Sequence, residues 1–149
     1  MQTIMASETF VYVTYIRTTP DKLWSALTTP EFQRQYWFGI HQESEWRAGA
    51  SWKMLFKDGR VADSGEVLEA DAPRRLVLKW RNEFREDLKD AGYSRCTYEL
   101  EPHDEAVKLT VTHVSESLAF IEAVSGGWPK ILSNLKSLLE TGQVAFVNK

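Results

Sequence analysis

Residues 128–142 of the chain read WPKILSNLKSLLETG. Large apolar residues recur in this stretch at the three- and four-residue intervals of one helix face, namely at Trp128, Ile131, Leu132, Leu135, Leu138 and Leu139. A helix with such a stripe buries it against another apolar surface. The stretch therefore predicts a long C-terminal helix that ends near Gly142, and the fold depends on the surface that the preceding residues supply.

Another helical segment is predicted over residues 118–124. Gly126 and Gly127 follow it, and a glycine destabilises a helix interior by about 1 kcal/mol relative to alanine. The sequence therefore predicts an interruption between this segment and the long helix.

Most residues between positions 51 and 113 alternate between apolar and polar side chains. This period of two is typical of antiparallel strands that have one solvent-exposed face. A strand at the start of the chain is instead apolar on both faces and rich in β-branched and aromatic residues. We predict six or seven strands in total, with the clearest ones over residues 9–17, 51–57, 65–69, 75–81, 94–101 and 106–113.

Two short helices are predicted directly after the first strand. Thr19 followed by Pro20 is a typical helix start, because the hydroxyl can cap the first turn and proline is tolerated at the first helical position. Thr29 and Pro30 repeat this signal, and the second helix is predicted to run to about Tyr36. Residues 82–93 are predicted to form a long loop with one helical turn. This order of elements predicts an α+β domain.

The composition is that of one ordinary globular domain. The 149 residues carry a net charge of −3 and their basic residues are dispersed, which argues against nucleic-acid binding. No apolar run reaches the ~20 residues of a membrane helix, so no membrane insertion is expected. The N-terminus lacks a secretory signal, and the single cysteine, Cys96, suits a reducing compartment. We therefore expect a cytoplasmic protein.

The sequence contains no local signature of a cofactor or metal site. Glycine-rich nucleotide-binding motifs, the H-E-x-x-H zinc motif and the G-x-S-x-G nucleophile motif are all absent. His41, His103 and His113 do not lie at metal-ligand spacings. We therefore predict neither a cofactor nor a metal, and local motifs assign no catalytic set of residues.

Four polar residues lie among the apolar residues of the predicted strand faces: Tyr12, Thr14, Tyr98 and His113. One interpretation is that each is a core residue whose polar tip has a backbone partner. The other is that they orient a ligand inside an apolar cavity. His113 ends an apolar row, so it is either a satisfied structural histidine or a general base near neutral pH.

Five segments, in order along the chain, read TTPDKLWSALTTPEFQRQYW (residues 18–37), EWRAGASWKM (45–54), SGEVLEADAPRRLVLKW (64–80), VKLTVTH (107–113) and GGWPKILSNLKSLLETG (126–142). Together they resemble the activator of heat-shock protein 90 ATPase homologue-like family. That family belongs to the START-like superfamily, which is also called birch-pollen-allergen-like or SRPBCC. The resemblance spans nearly the whole chain and departs from the family at one turn, where the usual paired glycines read Gly49-Ala50.

The resemblance implies a single START-like domain over residues 1–149 with the helix-grip fold. In this fold a curved antiparallel sheet surrounds the long C-terminal helix, and the two short helices close one end. We also expect residues 1–8 to be a disordered N-terminus and residues 143–149 to be a C-terminal tail.

The resemblance also implies a cavity between the sheet and the long helix. Carried over by position, its lining includes Trp52, Met54, Phe56, Trp80, His113 and Trp128. The predicted strand and helix faces add further lining residues, which are Tyr12, Thr14, Leu78, Tyr98, Val111, Leu132 and Leu135.

The favoured hypothesis is that this cavity binds a small hydrophobic, ring-containing ligand. Aromatic residues make up 12% of the chain and would supply affinity, while Tyr98 and His113 would fix the orientation. One alternative is a cofactor-independent enzyme of the cyclase, aromatase or hydrolase type, with His113 as its base. A co-chaperone or protein-interaction role is a further alternative, and a homodimer is left open.

Overall fold

The computed structural model describes residues 7–147, which contain seven β-strands and four helices. The strands form one antiparallel sheet in the order β1-β7-β6-β5-β4-β3-β2, so β1 and β2 are its edges. Their bounds are β1 Glu8–Ile16, β2 His41–Ser44, β3 Ser51–Leu55, β4 Val61–Asp71, β5 Arg75–Asn82, β6 Ser94–His103 and β7 Ala106–Ser115.

The helices are α1 (Pro20–Thr28), α2 (Pro30–Tyr36), α3 (Glu86–Asp90) and α4 (Leu118–Thr141). The predicted start of α1 is confirmed, because Oγ1 of Thr19 accepts a hydrogen bond from the backbone N–H of Lys22 at 3.3 Å. The arrangement confirms the predicted α+β class, with two short helices after the first strand and a long helix at the end of the chain.

The interruption predicted at Gly126 and Gly127 is wrong, because α4 runs unbroken for 24 residues. Packing explains the difference. Phe120 before the glycines and Trp128 after them are each 2% exposed. Burying one such side chain stabilises a fold by about 1.5–3 kcal/mol, which exceeds the loss of about 1 kcal/mol for each glycine.

Strand β2 was not predicted, since its four residues, HQES, are all polar and do not alternate. It lies at the edge of the sheet and pairs only with β3. The backbone N–H of Gln42 also donates a hydrogen bond to Oε1 of Gln33 in α2 at 2.7 Å. This bond holds the edge strand against the short helices.

The core lies between one face of the sheet and α4. Five of its side chains are almost fully buried, with exposures of at most 1%: Trp52, Leu78, Val111, Leu132 and Leu135. They come from three strands and from the apolar stripe of α4. The surface that the stripe requires is therefore the inner face of the sheet.

Strands β4 and β5 approach each other closely at Gly65. A Cβ atom at this position would lie 1.7 Å from the carbonyl oxygen of Lys79, so only glycine fits. The pairing register also shifts between Met54 and Leu55 in β3, and along β4 between Val67 and Glu69. Irregularities of this kind bend strands.

Residues near both ends of the described range make contacts with the rest of the fold. Residues 1–6 of the predicted disordered segment lie outside the described residues, and Glu8 already belongs to β1. After α4, Oδ1 of Asn134 accepts a hydrogen bond from the backbone N–H of Phe146 at 2.7 Å, and its Nδ2 donates to the Phe146 carbonyl at 2.9 Å. The tail therefore packs back on α4. Over residues 7–147, no helix has both the length and the apolar character needed to cross a membrane.

Candidate ligand-binding cleft

A cleft of about 210 Å³ lies between the sheet and the N-terminal half of α4. Strands β3, β4 and β5 form one side of it, and α3 and the connection from α2 to β2 complete the enclosure. Six aromatic side chains and one carboxylate are among its lining residues, and we call the site the aromatic cleft: Trp37, Phe56, Asp63, Trp80, Phe84, Phe120 and Trp128.

The three tryptophans form one continuous wall. The ring centroids lie 5.3 Å apart for Trp37 and Trp128, 6.2 Å for Trp37 and Trp80, and 5.9 Å for Trp80 and Trp128. All three spacings are typical of favourable aromatic pairs. The residues come from the end of α2, from β5 and from α4, and each is at most 7% exposed. Because each ring packs against the other two, the wall is formed in the absence of a ligand.

Two buried polar side chains occupy the sheet side of the cleft. Asp63 of β4 and Asn82 of β5 are directly opposite each other in the strand register and are 7% and 6% exposed. Oδ2 of Asp63 accepts a hydrogen bond from Nε1 of Trp80 at 2.7 Å. Oδ1 of Asn82 accepts from the backbone N–H groups of Phe84 and Arg85 at 3.2 and 2.8 Å. Asp63 therefore fixes the Trp80 ring, and Asn82 shapes the turn at the rim.

The rim of the cleft is open to solvent. Phe84 is 51% exposed and meets Phe56 edge to face, with a centroid distance of 5.2 Å. The guanidinium of Arg60 lies over the Phe56 ring at 4.9 Å, and Arg85 pairs with Asp87 at 2.9 Å. The outer side of the cleft is therefore bordered by aromatic rings and guanidinium groups.

His113 lies behind the wall, in a chain of hydrogen bonds. Nε1 of Trp128 donates to Nδ1 of His113 at 3.2 Å, and Nε2 of His113 lies 2.8 Å from Oγ of Ser94. Ser94 in turn donates to the carbonyl of Trp80 at 3.0 Å. An indole nitrogen can only donate, so Nδ1 is the acceptor and the proton of the neutral imidazole is on Nε2.

The burial of His113 determines its charge. The side chain is fully buried, and burial lowers the pKa of its imidazole from 6.5 to about 3. The ring is therefore neutral at physiological pH. Because both nitrogens are engaged with protein partners, neither presents a free lone pair to a molecule in the aromatic cleft.

Of the thirteen lining residues predicted from the sequence, four line the cleft: Met54, Phe56, Trp80 and Trp128. The other nine lie outside its lining. Trp52 is behind the wall, with its ring 4.6 Å from that of Trp80, and Tyr98 meets Trp128 edge to face at 6.0 Å. His113 is also behind the wall, as described above. The six that remain belong to the packed core or to the half-buried inner face of β1, and they are Tyr12, Thr14, Leu78, Val111, Leu132 and Leu135.

Several residues of the cleft were not predicted, among them Trp37, Asp63 and Phe120. A signal for Asp63 does exist in the sequence. The inward positions Val67 and Gly65, extended back by two residues, reach Asp63, so the strand alternation places a carboxylate on the inner face. Trp37 and Phe120 carry no comparable signal, because their positions depend on how α2 and α4 pack against the sheet.

The lining has more apolar than polar character, so it suits a ligand that is itself mostly apolar. Its charged groups are the carboxylate of Asp63 inside and the guanidinium of Arg85 at the rim. Within residues 7–147, no group of three or more His, Cys, Asp or Glu side chains is placed to hold a metal ion.

An antiparallel sheet curved round a long C-terminal helix, with an apolar cleft between them, defines the helix-grip fold of the START-like superfamily. The chain belongs to the family described as Activator of Hsp90 ATPase homolog 1-like protein, which matches residues 17–140. This match confirms the resemblance noted in the sequence. No curated protein matches the sequence.

Several solved structures share this fold. DynU16, a protein of the dynemicin biosynthetic locus, is 22% identical with a TM-score of 0.75, over 95% of this chain and 51% of its own. An HSP90 activator from Plasmodium falciparum is 23% identical with a TM-score of 0.72, over 88% and 95%. The Aha1 dimer from Colwellia psychrerythraea is 19% identical with a TM-score of 0.73, over 91% and 98%. Similarity at these identities shows the fold alone.

Proposed function

We propose that the protein binds a small hydrophobic, ring-containing molecule in the aromatic cleft. The observation that carries the proposal is the tryptophan wall, which is preformed and reached through an open rim. A preformed site does not lose conformational entropy by ordering its side chains on binding, so more of the contact energy appears as affinity. Ring ligands gain further from offset or edge-to-face contacts with the wall.

The volume of the cleft limits the size of the ligand. At about 210 Å³ it is smaller than the ~300–1,000 Å³ typical of pockets for drug-sized molecules. We therefore expect a ligand of one or two rings, or a larger molecule that inserts one ring system and leaves the remainder at the rim.

Filling the cleft from α4 tests the proposal without removing any wall residue. Val124 lines the cleft, so Val124→Trp is expected to abolish binding of two-ring aromatic compounds. Glu122→Trp adds the same side chain to an exposed position of the same helix and is the matched control. Binding is measured by titration calorimetry, and native mass spectrometry of fresh protein identifies any molecule that co-purifies. Equal binding by both variants would place the ligand elsewhere.

A second candidate function is co-chaperone activity. It is supported by the family match and by the shared fold of the HSP90 activator from Plasmodium falciparum. The test is whether the protein raises the ATPase rate of Hsp90 and whether Val124→Trp alters that effect. Stimulation that the variant retains would favour an outer surface over the cleft.

The enzyme alternative relied on His113, whose nitrogens are both engaged behind the wall. Burial also raises the pKa of the Cys96 thiol, so that residue is not a ready nucleophile. These features support binding over catalysis by either residue.

Three expectations about the whole chain are also proposals. We propose that residues 1–149 form one START-like domain, that the protein acts in the cytoplasm and that it can form a homodimer. A single cooperative unfolding transition, cell fractionation and light scattering across a concentration series test them in turn. A relative with this fold is a dimer.

A further inference from the structure

The two glycines inside α4 are not required by packing. Apart from its neighbours in the helix backbone, a Cβ atom at Gly126 would have nothing within 4 Å, and one at Gly127 would meet only Cδ1 of Ile131, at an ordinary contact distance of 3.9 Å. Alanine would therefore fit at both positions, and it favours a helix over glycine by about fivefold per residue. The helix is thus weak at a place where no close contact demands glycine.

A proline adds a second weak point directly after the glycines. Pro129 lies inside α4 and has no N–H to donate to the carbonyl of Ser125, four residues earlier. Prolines and glycines are the usual positions at which helices bend. The centre of α4 therefore combines two features that make a helix easy to bend.

The two parts of α4 on either side of this point are held in different ways. After it, Nδ2 of Asn134 donates to the carbonyl of Tyr36 at 3.4 Å, and Oε2 of Glu140 accepts from the backbone N–H of Arg17 at 2.8 Å. Before it, in the described part of the chain, the side-chain hydrogen bonds of residues 118–127 stay within the helix and its N-cap. The first part of α4 is therefore held against the sheet by apolar packing.

This first part of α4 is also one side of the aromatic cleft. It contributes Phe120, Ala123, Val124 and Gly127 to the lining. The three tryptophans of the wall all lie outside residues 118–127. A movement of this part away from the sheet would therefore enlarge the cleft and leave the wall in place.

We propose that residues 118–127 are a hinged segment, which swings away from the sheet at the two glycines and lets the aromatic cleft enlarge around ligands of three or more fused rings. This inference rests on the proposed function. Regions that are held by few directional contacts open at a low free energy without unfolding of the whole protein. A ligand that fits only the open form shifts the population towards that form.

Hydrogen exchange of the ligand-free wild-type protein tests the hinge directly. We expect the backbone amides of residues 122–125 to exchange through a local opening that is at least tenfold more frequent than the opening that exposes residues 132–138. The measurement is NMR-detected amide exchange at urea concentrations below the unfolding transition. Equal protection on the two sides of the glycines would overturn the proposal.

Gly126→Ala strengthens the hinge without touching the cleft, because Gly126 is exposed and lies outside the lining. It should make the local opening of residues 122–125 about fivefold rarer. Ser133→Ala is the matched control, since it also raises helix propensity outside the lining but lies beyond the glycines, and it should leave that opening unchanged. Exchange of residues 122–125 that Gly126→Ala does not slow would place the hinge elsewhere and refute the assignment.

Quinoline and acridine test whether the motion admits larger ligands. They have two and three fused rings with the same heteroatom, and both are largely uncharged at pH 8. Association rates are measured by stopped-flow quenching of tryptophan fluorescence. We expect Gly126→Ala to slow the association of acridine about fivefold and to leave that of quinoline unchanged, because only acridine needs the enlarged cleft.

The outcomes separate the hinge from the proposed function. If quinoline binds and acridine does not, or if Gly126→Ala slows neither, the enlargement of the cleft is refuted and the proposed function stands. If neither compound binds, the proposed function and the enlargement both fail.

Discussion

Trp80 separates two regions that satisfy their buried polar groups in different ways. Behind it, the carbonyl of Trp80, Ser94, His113 and the indole of Trp128 form a chain in which each donor meets a protein acceptor. In front of it, the indole of Trp80 meets Asp63, a carboxylate that also lines an open cleft. The first region is closed on itself, and the second borders the cleft.

This comparison shows how one residue can belong to both the core and the lining of a cleft. The closed region holds Trp80 and Trp128 in place at a fixed spacing, so the wall needs no ligand to form. In the open region the same rings line the cleft, together with the carboxylate beside them. The same side chains therefore pack the core on one side and, under the proposed function, contact the ligand on the other.

The largest expected effect comes from breaking the hydrogen bonds that link Ser94, His113 and Trp128. His113→Ala leaves the buried Trp128 indole without its acceptor and opens a cavity, so we expect the free energy of unfolding to fall by about 3–5 kcal/mol. The measurement is urea denaturation at pH 7. His103→Ala, at an exposed position, should cost less than about 1 kcal/mol. A comparably small loss of unfolding free energy in His113→Ala would show that the hydrogen bonds of His113 do not hold the tryptophan wall in place.

The buried imidazole of His113 also predicts that the stability of the protein depends on pH. The pKa of His113 is about 3 in the folded protein and 6.5 as its ordinary value, so the unfolded chain binds more protons between those values. The free energy of unfolding should therefore fall as the pH drops below 6.5, by about 1.4 kcal/mol per pH unit.

His113→Gln isolates this contribution, because glutamine offers both a donor and an acceptor but does not titrate. Denaturation curves of both proteins from pH 7 to pH 4.5 provide the comparison. We expect the stability gap to narrow by about 2–3 kcal/mol over that range. Parallel curves would mean that folding does not lower the pKa of His113.

The smallest expected effect is in the open region. Asp63→Asn retains an oxygen acceptor for the Trp80 indole but weakens its hydrogen bond by removing the charge, so the free energy of unfolding should fall by about 1–2 kcal/mol. Thermal and urea denaturation measure this change, and Glu66→Gln, which makes the same charge change on the same strand outside the cleft lining, is the control. A loss of several kcal/mol would instead make Asp63 part of the closed framework and erase the contrast between the two regions.

The sequence predicts the layout of the fold better than the position of the site. The apolar stripe of α4 and the strand alternation assign the inner faces correctly, because burial is periodic along each element. Alternation shows which face of the sheet a residue is on, but it does not show which part of that face borders the cleft. Leu78 and Val111 were therefore predicted to line the cavity, although they lie in the packed core. The same limit applies to His113, whose engagement by Ser94 and Trp128 depends on contacts between distant segments.

The cleft residues that escaped prediction share a physical reason. Trp37 follows the last residue of α2, and Phe120 lies in the first turn of α4, ahead of the two glycines. Each reaches the cleft only because its helix packs against a particular end of the sheet. Asp63 is different, since its inward position follows from alternation along β4, although the sequence does not reveal that β4 begins as early as Val61.

Four of the six tryptophans are connected through ring contacts of 4.6–6.2 Å, by way of Trp37, Trp52, Trp80 and Trp128. Chromophores this close exchange excitation, so light absorbed by one ring can be emitted by another. Ultraviolet emission from these four rings thus reports on the cluster as a unit. A molecule that quenches one ring at the cleft should therefore lower the fluorescence of the whole cluster. Tryptophan fluorescence can thus detect whether the cleft is occupied without an added label.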